Sequence, residues 1–115
     1  MPLVSVTETT QVGKRFGGMV TGFDVRQIRI FVTVAEHLSF TRAAERLNIA
    51  QPWLSVQIRK LEDSLGFTLF QRNRKQAVAL TPRGTAFLAA ARAFLVAHDE
   101  LVGEAVAIRD RQMLT

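Results

Sequence analysis

The chain has 115 residues, 48% of them hydrophobic, which suits one small domain with a modest core. Fifteen Lys and Arg against ten Asp and Glu leave a net charge of +5, a balance that favours a polyanionic partner such as nucleic acid or an acidic membrane surface. The lack of cysteine excludes a disulfide framework, a thiolate zinc site and a thiol nucleophile, and no apolar run reaches the roughly eighteen residues of a membrane span. A reducing, cytoplasmic setting fits this composition.

Residues 1–22 carry no apolar block and no small-residue cleavage pattern, so they are expected to be a mobile leader and not a secretory signal; Met19 is a candidate alternative start. The domain proper is expected from residue 23. Asp24 is an N-cap, and Val25, Ile28, Phe31, Val32, Ala35 and Leu38 recur at helical spacing, predicting a first helix of about fourteen residues. Ser39 offers a second N-cap before Phe40, Ala43, Ala44 and Leu47, the inner face of a shorter helix that stops at Asn48. After a three-residue link, Gln51 and Pro52 open a third helix, 52–65, which Gly66 ends. So tight a link forces two helices to cross steeply, predicting a helix-turn-helix over about 39–65.

Residues 69–81, "LFQRNRKQAVALT", change period and predict two short strands forming a wing, with Arg72, Arg74 and Lys75 at its tip and no acid between them. Thr81 and Pro82 then start a long helix to about Asp110, followed by a tail over 111–115; Gly84 and Gly103 are tolerated inside the helix at a cost. Phe87, Ala91, Phe94, His98, Leu101, Ala105 and Ile108 step alternately by four and three residues, a heptad seam widened by Leu88, Leu95 and Val102. One face of this helix is expected on the domain and another on a partner chain; the alternative is a helix folded back on its own domain. His98 reads as a packing or rim residue.

The candidate site lies on the third helix. Leu54, Ile58, Leu61 and Leu65 form one buried stripe. With Leu54 at zero and about 100° per residue, Pro52, Val56 and Arg59 point near 160°, 200° and 140°, while Trp53 and Lys60 lie near 260° and 240°. In a DNA major groove, Val56 or Trp53 suits a thymine methyl, Arg59 suits guanine, and Gln51 or Gln57 suits adenine. The competing readings are that Trp53 packs against the wing or the first helix and that Val56 is an ordinary exposed apolar residue. Ser55 either bonds a phosphate or caps locally. Ser39, Thr41 and Arg42, beside the free N–H groups of the second helix, suit phosphate contacts, as do Lys60 and the wing, unless the wing is a loop kept charged for solubility. Enzyme chemistry has no footing: His37 and His98 fit no metal-ligand spacing, no GxSxG, HExxH or phosphate-cradling loop occurs, and Glu62-Asp63 reads as surface charge. No cofactor and no metal site are expected.

The stretch "FVTVAEHLSFTRAAERLNIAQPWLSVQIRKLEDSLGFTLFQRNRKQAVALTPRG", residues 31–84, resembles the N-terminal DNA-binding domain of LysR-type bacterial transcriptional regulators, through "SFTRAAERL", "QP" with "LS" and "QI", "LEDSLGFTLFQR" and "LTPRG". With the flanking helices the resemblance covers about residues 23–110. It implies a mainly α fold: a winged helix-turn-helix over 23–81, with a three-helix core and a short β-hairpin wing, then a linker and dimerisation helix over 82–110. It further implies a dimer reading an interrupted dyad in promoter DNA, one recognition helix per major groove. Carried over by position, Gln51, Pro52, Ser55 and Gln57 face DNA, Ser39, Thr41 and Arg42 contact phosphate, and Arg72 with the basic residues after it forms the wing.

Trp53 stands where the family commonly has a small residue or proline, and Val56 where it often has a polar or basic one, which argues for methyl contacts to thymine. The family's effector-binding domain is absent from the chain, as expected of a fragment or a short form; an inducer is expected only if such a domain exists. The alternative function is a protein-interaction module that heterodimerises with full-length regulators through the linker helix.

Overall fold

Asp24 opens the first helix, α1 (Val25–His37), through a reciprocal capping box in which the Gln27 N–H donates to Asp24 Oδ1 at 2.8 Å and the Asp24 N–H donates to Gln27 Oε1 at 3.2 Å. The computed structural model describes residues 22–72 and 78–114, without the side chains of 72 and 112–114. The leader expected over 1–22, apart from residue 22, lies outside the described residues, as do Arg74, Lys75 and the side chain of Arg72.

α1 is buried on more than one stripe, since Ile30 and Val34 join Ile28, Phe31, Val32 and Ala35 in the core. Leu38 departs from its expected place in that core. It is the C-cap, with φ 49°, and is 47% exposed, because the chain must reverse between α1 and the next N-cap at Ser39. The left-handed turn lets the Leu38 N–H donate to Val34 O at 2.7 Å.

Ser39 Oγ accepts from the Arg42 N–H at 3.1 Å and starts α2 (Phe40–Leu47); Asn48, at φ 59°, ends it. Ala50 then precedes α3 (Gln51–Leu65), whose second residue is Pro52 and whose left-handed C-cap is Gly66, at φ 86°. Leu54, Ile58, Leu61 and Leu65 are buried, as their spacing requires. The wing is an antiparallel pair, β1 (Phe70–Arg72) with β2 (Val78–Leu80), in the register Phe70 to Leu80, Gln71 to Ala79 and Arg72 to Val78.

Aromatic rings tie the wing and the last helix to α1. Phe31 lies 5.5 Å from both Phe70 and Phe87, and Phe70 lies 5.8 Å from Phe40. The last helix, α4 (Pro82–Leu114), runs four residues past its expected end at Asp110 and starts where Thr81 Oγ1 accepts from the Gly84 N–H at 2.8 Å.

Phe87 and Ala91, expected on a partner seam, belong to the domain's own core: Ala91 is 2% exposed, and Phe87 packs among Phe23, Phe31 and Phe67. The first half of a seam that continues smoothly in sequence is consumed by α1. From Asp99 to Arg111 every residue is exposed. Phe94, Val96, Leu101, Val102, Val106 and Ile108 are left as exposed large apolar side chains on α4.

Candidate nucleic-acid interface

The buried stripe of α3 turns the opposite side of the helix outward. Gln51, Pro52, Val56, Arg59 and Lys60 are exposed and Ser55 is half-buried, so an apolar side chain stands among basic and amide groups on one accessible face. Thr41 Oγ1, on the second residue of α2, donates to Gln51 Oε1 at 3.0 Å. This bond joins a residue expected at phosphate to one expected at a base edge. It occupies the amide oxygen of Gln51 and leaves the amide N–H groups to face outward as donors. Arg42 and Thr41 are exposed beside it, and the hydroxyl of Ser39 serves as the cap of α2.

Two residues expected toward the groove have partners on α1. The Arg26 guanidinium lies over the Trp53 ring, 5.4 Å from its centroid, and Gln27 Nε2 donates to Gln57 Oε1 at 3.5 Å. Both sit on the flank of α3 that faces the start of α1. Trp53, 37% exposed, forms one wall of a shallow apolar groove with Ile30, Leu47, Ile49 and Ala50. Of the two apolar residues off the core stripe, Val56 is the freer, at 49% exposed, and borders the cleft between α3 and β1 with Ser55 and Arg59.

Glu62 is a residue near the candidate interface that sequence reasoning misplaced. It is buried, not surface charge: its Oε2 accepts from the Leu69 N–H at 2.7 Å and from the Phe70 N–H at 3.4 Å. The carboxylate fastens the wing to α3 and so holds β1 beside the outward face. The available signal was its position at about 80° from Leu54 and about 40° from Ile58, near enough to the stripe to be covered by whatever follows Gly66. A second fastening runs through the same backbone, where Leu69 O accepts from the Thr81 N–H at 2.9 Å.

Among the described residues no cluster of His, Asp or Glu could hold a metal ion, and no helix is long and apolar enough to cross a membrane.

Comparison with known proteins agrees with this geometry. The profile of the "Bacterial regulatory helix-turn-helix protein, lysR family" matches residues 25–85. The chain is 41% identical to the HTH-type transcriptional regulator BsdA of Bacillus subtilis (strain 168) over 87 residues, covering 76% of this chain and 30% of that one. It is 44% identical to the Hca operon transcriptional activator HcaR of Escherichia coli (strain K12) over 92 residues, 78% of this chain and 31% of that one. The chain thus spans about a third or less of the length of these curated relatives. Among solved structures, the BenM DNA-binding domain in its complex with catB site 1 DNA is similar with a TM-score of 0.70 and 42% identity, over 75% of this chain and 96% of that one. A full-length OxyR variant from Pseudomonas aeruginosa is similar with a TM-score of 0.71 and 40% identity, over 75% of this chain and 29% of that one.

Proposed function

The chain belongs to the lysR family of bacterial regulatory helix-turn-helix proteins and carries that family's DNA-binding domain, and on that premise we propose that it reads an interrupted inverted repeat in double-stranded DNA as a homodimer. The observation that carries this reading is the outward face of α3, where Gln51, Pro52, Val56 and Arg59 stand exposed next to Thr41 and Arg42 at the start of α2. In a major groove, Arg59 donates to guanine acceptors, the amide of Gln51 donates to an acceptor edge, and Val56 packs on a thymine methyl. Ser39, Thr41, Arg42 and Lys60 hold phosphates and set register, together with the basic wing residues Arg72, Arg74 and Lys75. Trp53 and Gln57 act at the flank, where their contacts with Arg26 and Gln27 fix the rotation of α3 against α1.

Replacing Val56 by alanine is expected to weaken discrimination at one or two base positions by about 1 kcal/mol or less, leaving overall affinity nearly unchanged. Binding to a library of single-base operator variants measures this directly.

The exposed apolar stretch of α4 supports the dimer. A monomer has no use for Phe94, Leu101, Val102 and Ile108 in water, and a second copy of the helix would cover them. Leu101→Lys and Phe94→Glu are each expected to convert the dimer to monomer, as read by analytical ultracentrifugation. Dimers persisting at micromolar concentration in both variants would remove the seam assignment. The same stretch equally fits the linker helix of a longer relative, which is the second reading: a chain that pairs with full-length regulators.

Selection from a randomised duplex pool, with a salt series on the enriched sequence, tests the proposal. An interrupted inverted repeat whose affinity falls with a salt slope steeper than about −3 is the expected result. Salt-sensitive binding blind to sequence, alongside mixed dimers with a longer relative, would favour the second reading.

A further inference from the structure

α1 and α4 run antiparallel, and two ion pairs flank their apolar seam. Glu36 near the end of α1 meets Arg92 at 3.9 Å, and Arg29 meets Asp99. The two members on each helix are seven residues apart, or two turns, so both pairs lie along one side of the helix pair. Asp99 is also the last point at which the described domain holds α4, because every residue from there to Arg111 is exposed. Between the pairs the α4 residue packed on the core is Leu95, and Phe87, Leu88 and Ala91 continue the same apolar contact on the near side of Arg92. Apolar contact is non-directional and leaves one helix free to rock on the other. A charged pair at the outer end opposes that rocking.

We propose that Arg29 and Asp99 are positioning residues that set the angle of α4 to the helix-turn-helix and thereby the half-site spacing that the dimer accepts. The inference rests on the dimeric DNA-reading function proposed above. The arm beyond Asp99 is about 18 Å long up to Arg111, so a tilt of roughly 10° there moves its tip by about 3 Å. That displacement is close to the ~3.4 Å rise of one base pair, and in a two-fold dimer it applies to both subunits. Both side chains are exposed, so the pair contributes direction and little stability. The guanidinium of Arg29, and after it His98, whose Nδ1 is 3.3 Å from Asp99 Oδ1, hold the Asp99 carboxyl below its ordinary range.

The experiment compares the parent chain with Arg29→Asp, Asp99→Arg and the double exchange on operators whose two half-sites are separated by spacers stepped one base pair at a time. Dimerisation is followed by sedimentation, and single-half-site affinity is measured in parallel. The parent is expected to favour one spacer over its neighbours by about tenfold. Each single variant is expected to flatten that preference below about threefold while still dimerising and binding a half-site, and the double exchange to restore it. The two single changes move net charge in opposite directions, so a common loss of spacer preference excludes a general electrostatic cause. Single variants that keep the parent's spacer ranking overturn the proposal. A parent chain that shows neither dimer nor spacer preference overturns the function on which the proposal rests, and it does so before any variant is compared.

Discussion

Replacing Glu62 by alanine is expected to lower the unfolding free energy by about 3 kcal/mol and the melting temperature by more than about 10 °C. The carboxylate accepts from two backbone N–H groups at the root of the wing, at 2.7 Å from Leu69 and 3.4 Å from Phe70. Leu69 is fully buried and Phe70 nearly so, leaving little room for water to take over. An unsatisfied buried donor costs on the order of 1–3 kcal/mol, and a bond to a charged acceptor sits at the upper end of that range. Glu62→Gln keeps an acceptor of the same reach and is expected to lose only about 1 kcal/mol. Thermal melts of the two variants beside the parent measure the difference. If alanine and glutamine cost the same, the loss belongs to charge and not to the two orphaned donors.

Gly84→Ala is the second large effect, and its sign runs against helix propensity. Alanine in a helix interior is favoured over glycine by about 1 kcal/mol, so an accessible glycine in α4 invites a stabilising change. Gly103 is such a position, with open space where a Cβ would stand, and Gly103→Ala is expected to raise stability by up to that amount. At Gly84 the added Cβ would lie 2.2 Å from the carbonyl oxygen of Leu69, 3.0 Å from its carbonyl carbon and 3.1 Å from Thr81 Oγ1. The first two belong to a backbone carbonyl that accepts from the Thr81 N–H, with Glu62 holding the N–H groups on either side of it, so α4 must retreat from the wing. Overpacking of this kind costs about 1–3 kcal/mol. Urea unfolding of both alanine variants should move in opposite directions, and a stabilised Gly84→Ala would show that the start of α4 is looser than its contacts imply.

The two predictions meet at Leu69, whose N–H is held by α3 and whose carbonyl is held by the start of α4. The wing is therefore not an appendage of the helix-turn-helix. It is a second joint for α4, beside the packing of Phe87 on Phe31, so damage at Glu62 or Gly84 should disturb the outward face of α3 and the placement of α4 together.

Local chemistry made the element boundaries legible in the sequence. Asp24, Ser39, Pro52, Gly66 and the Thr81-Pro82 pair each satisfy, or dispense with, backbone groups at a helix end, and α1 to α4 start and stop beside them. The inner stripe of α3 was equally readable, because a 3.6-residue period places Leu54, Ile58, Leu61 and Leu65 on one line whatever they pack against. The outward residues followed by elimination, whereas the bond between Thr41 and Gln51 emerged only from the packing of α2 on α3.

Tertiary structure alone decided which neighbour takes each remaining face. Periodicity reports that a side of a helix is apolar or polar, but it carries no information on what lies opposite. Hence Trp53 and Gln57, flank residues by their angle, are matched with Arg26 and Gln27 of α1. Phe87 and Ala91 continue the same heptad as Leu101 and Ile108, yet the first two are inside and the last two outside, because α1 ends its contact with α4 near Asp99. Leu38 followed the helical pattern and was turned out by the reversal into Ser39. The partnership of Arg29 with Asp99 joins residues 70 positions apart, and the clash hidden at Gly84 depends on a carbonyl in another element. What a single element must satisfy within itself was written in the sequence; what two elements do to each other depended on their packing.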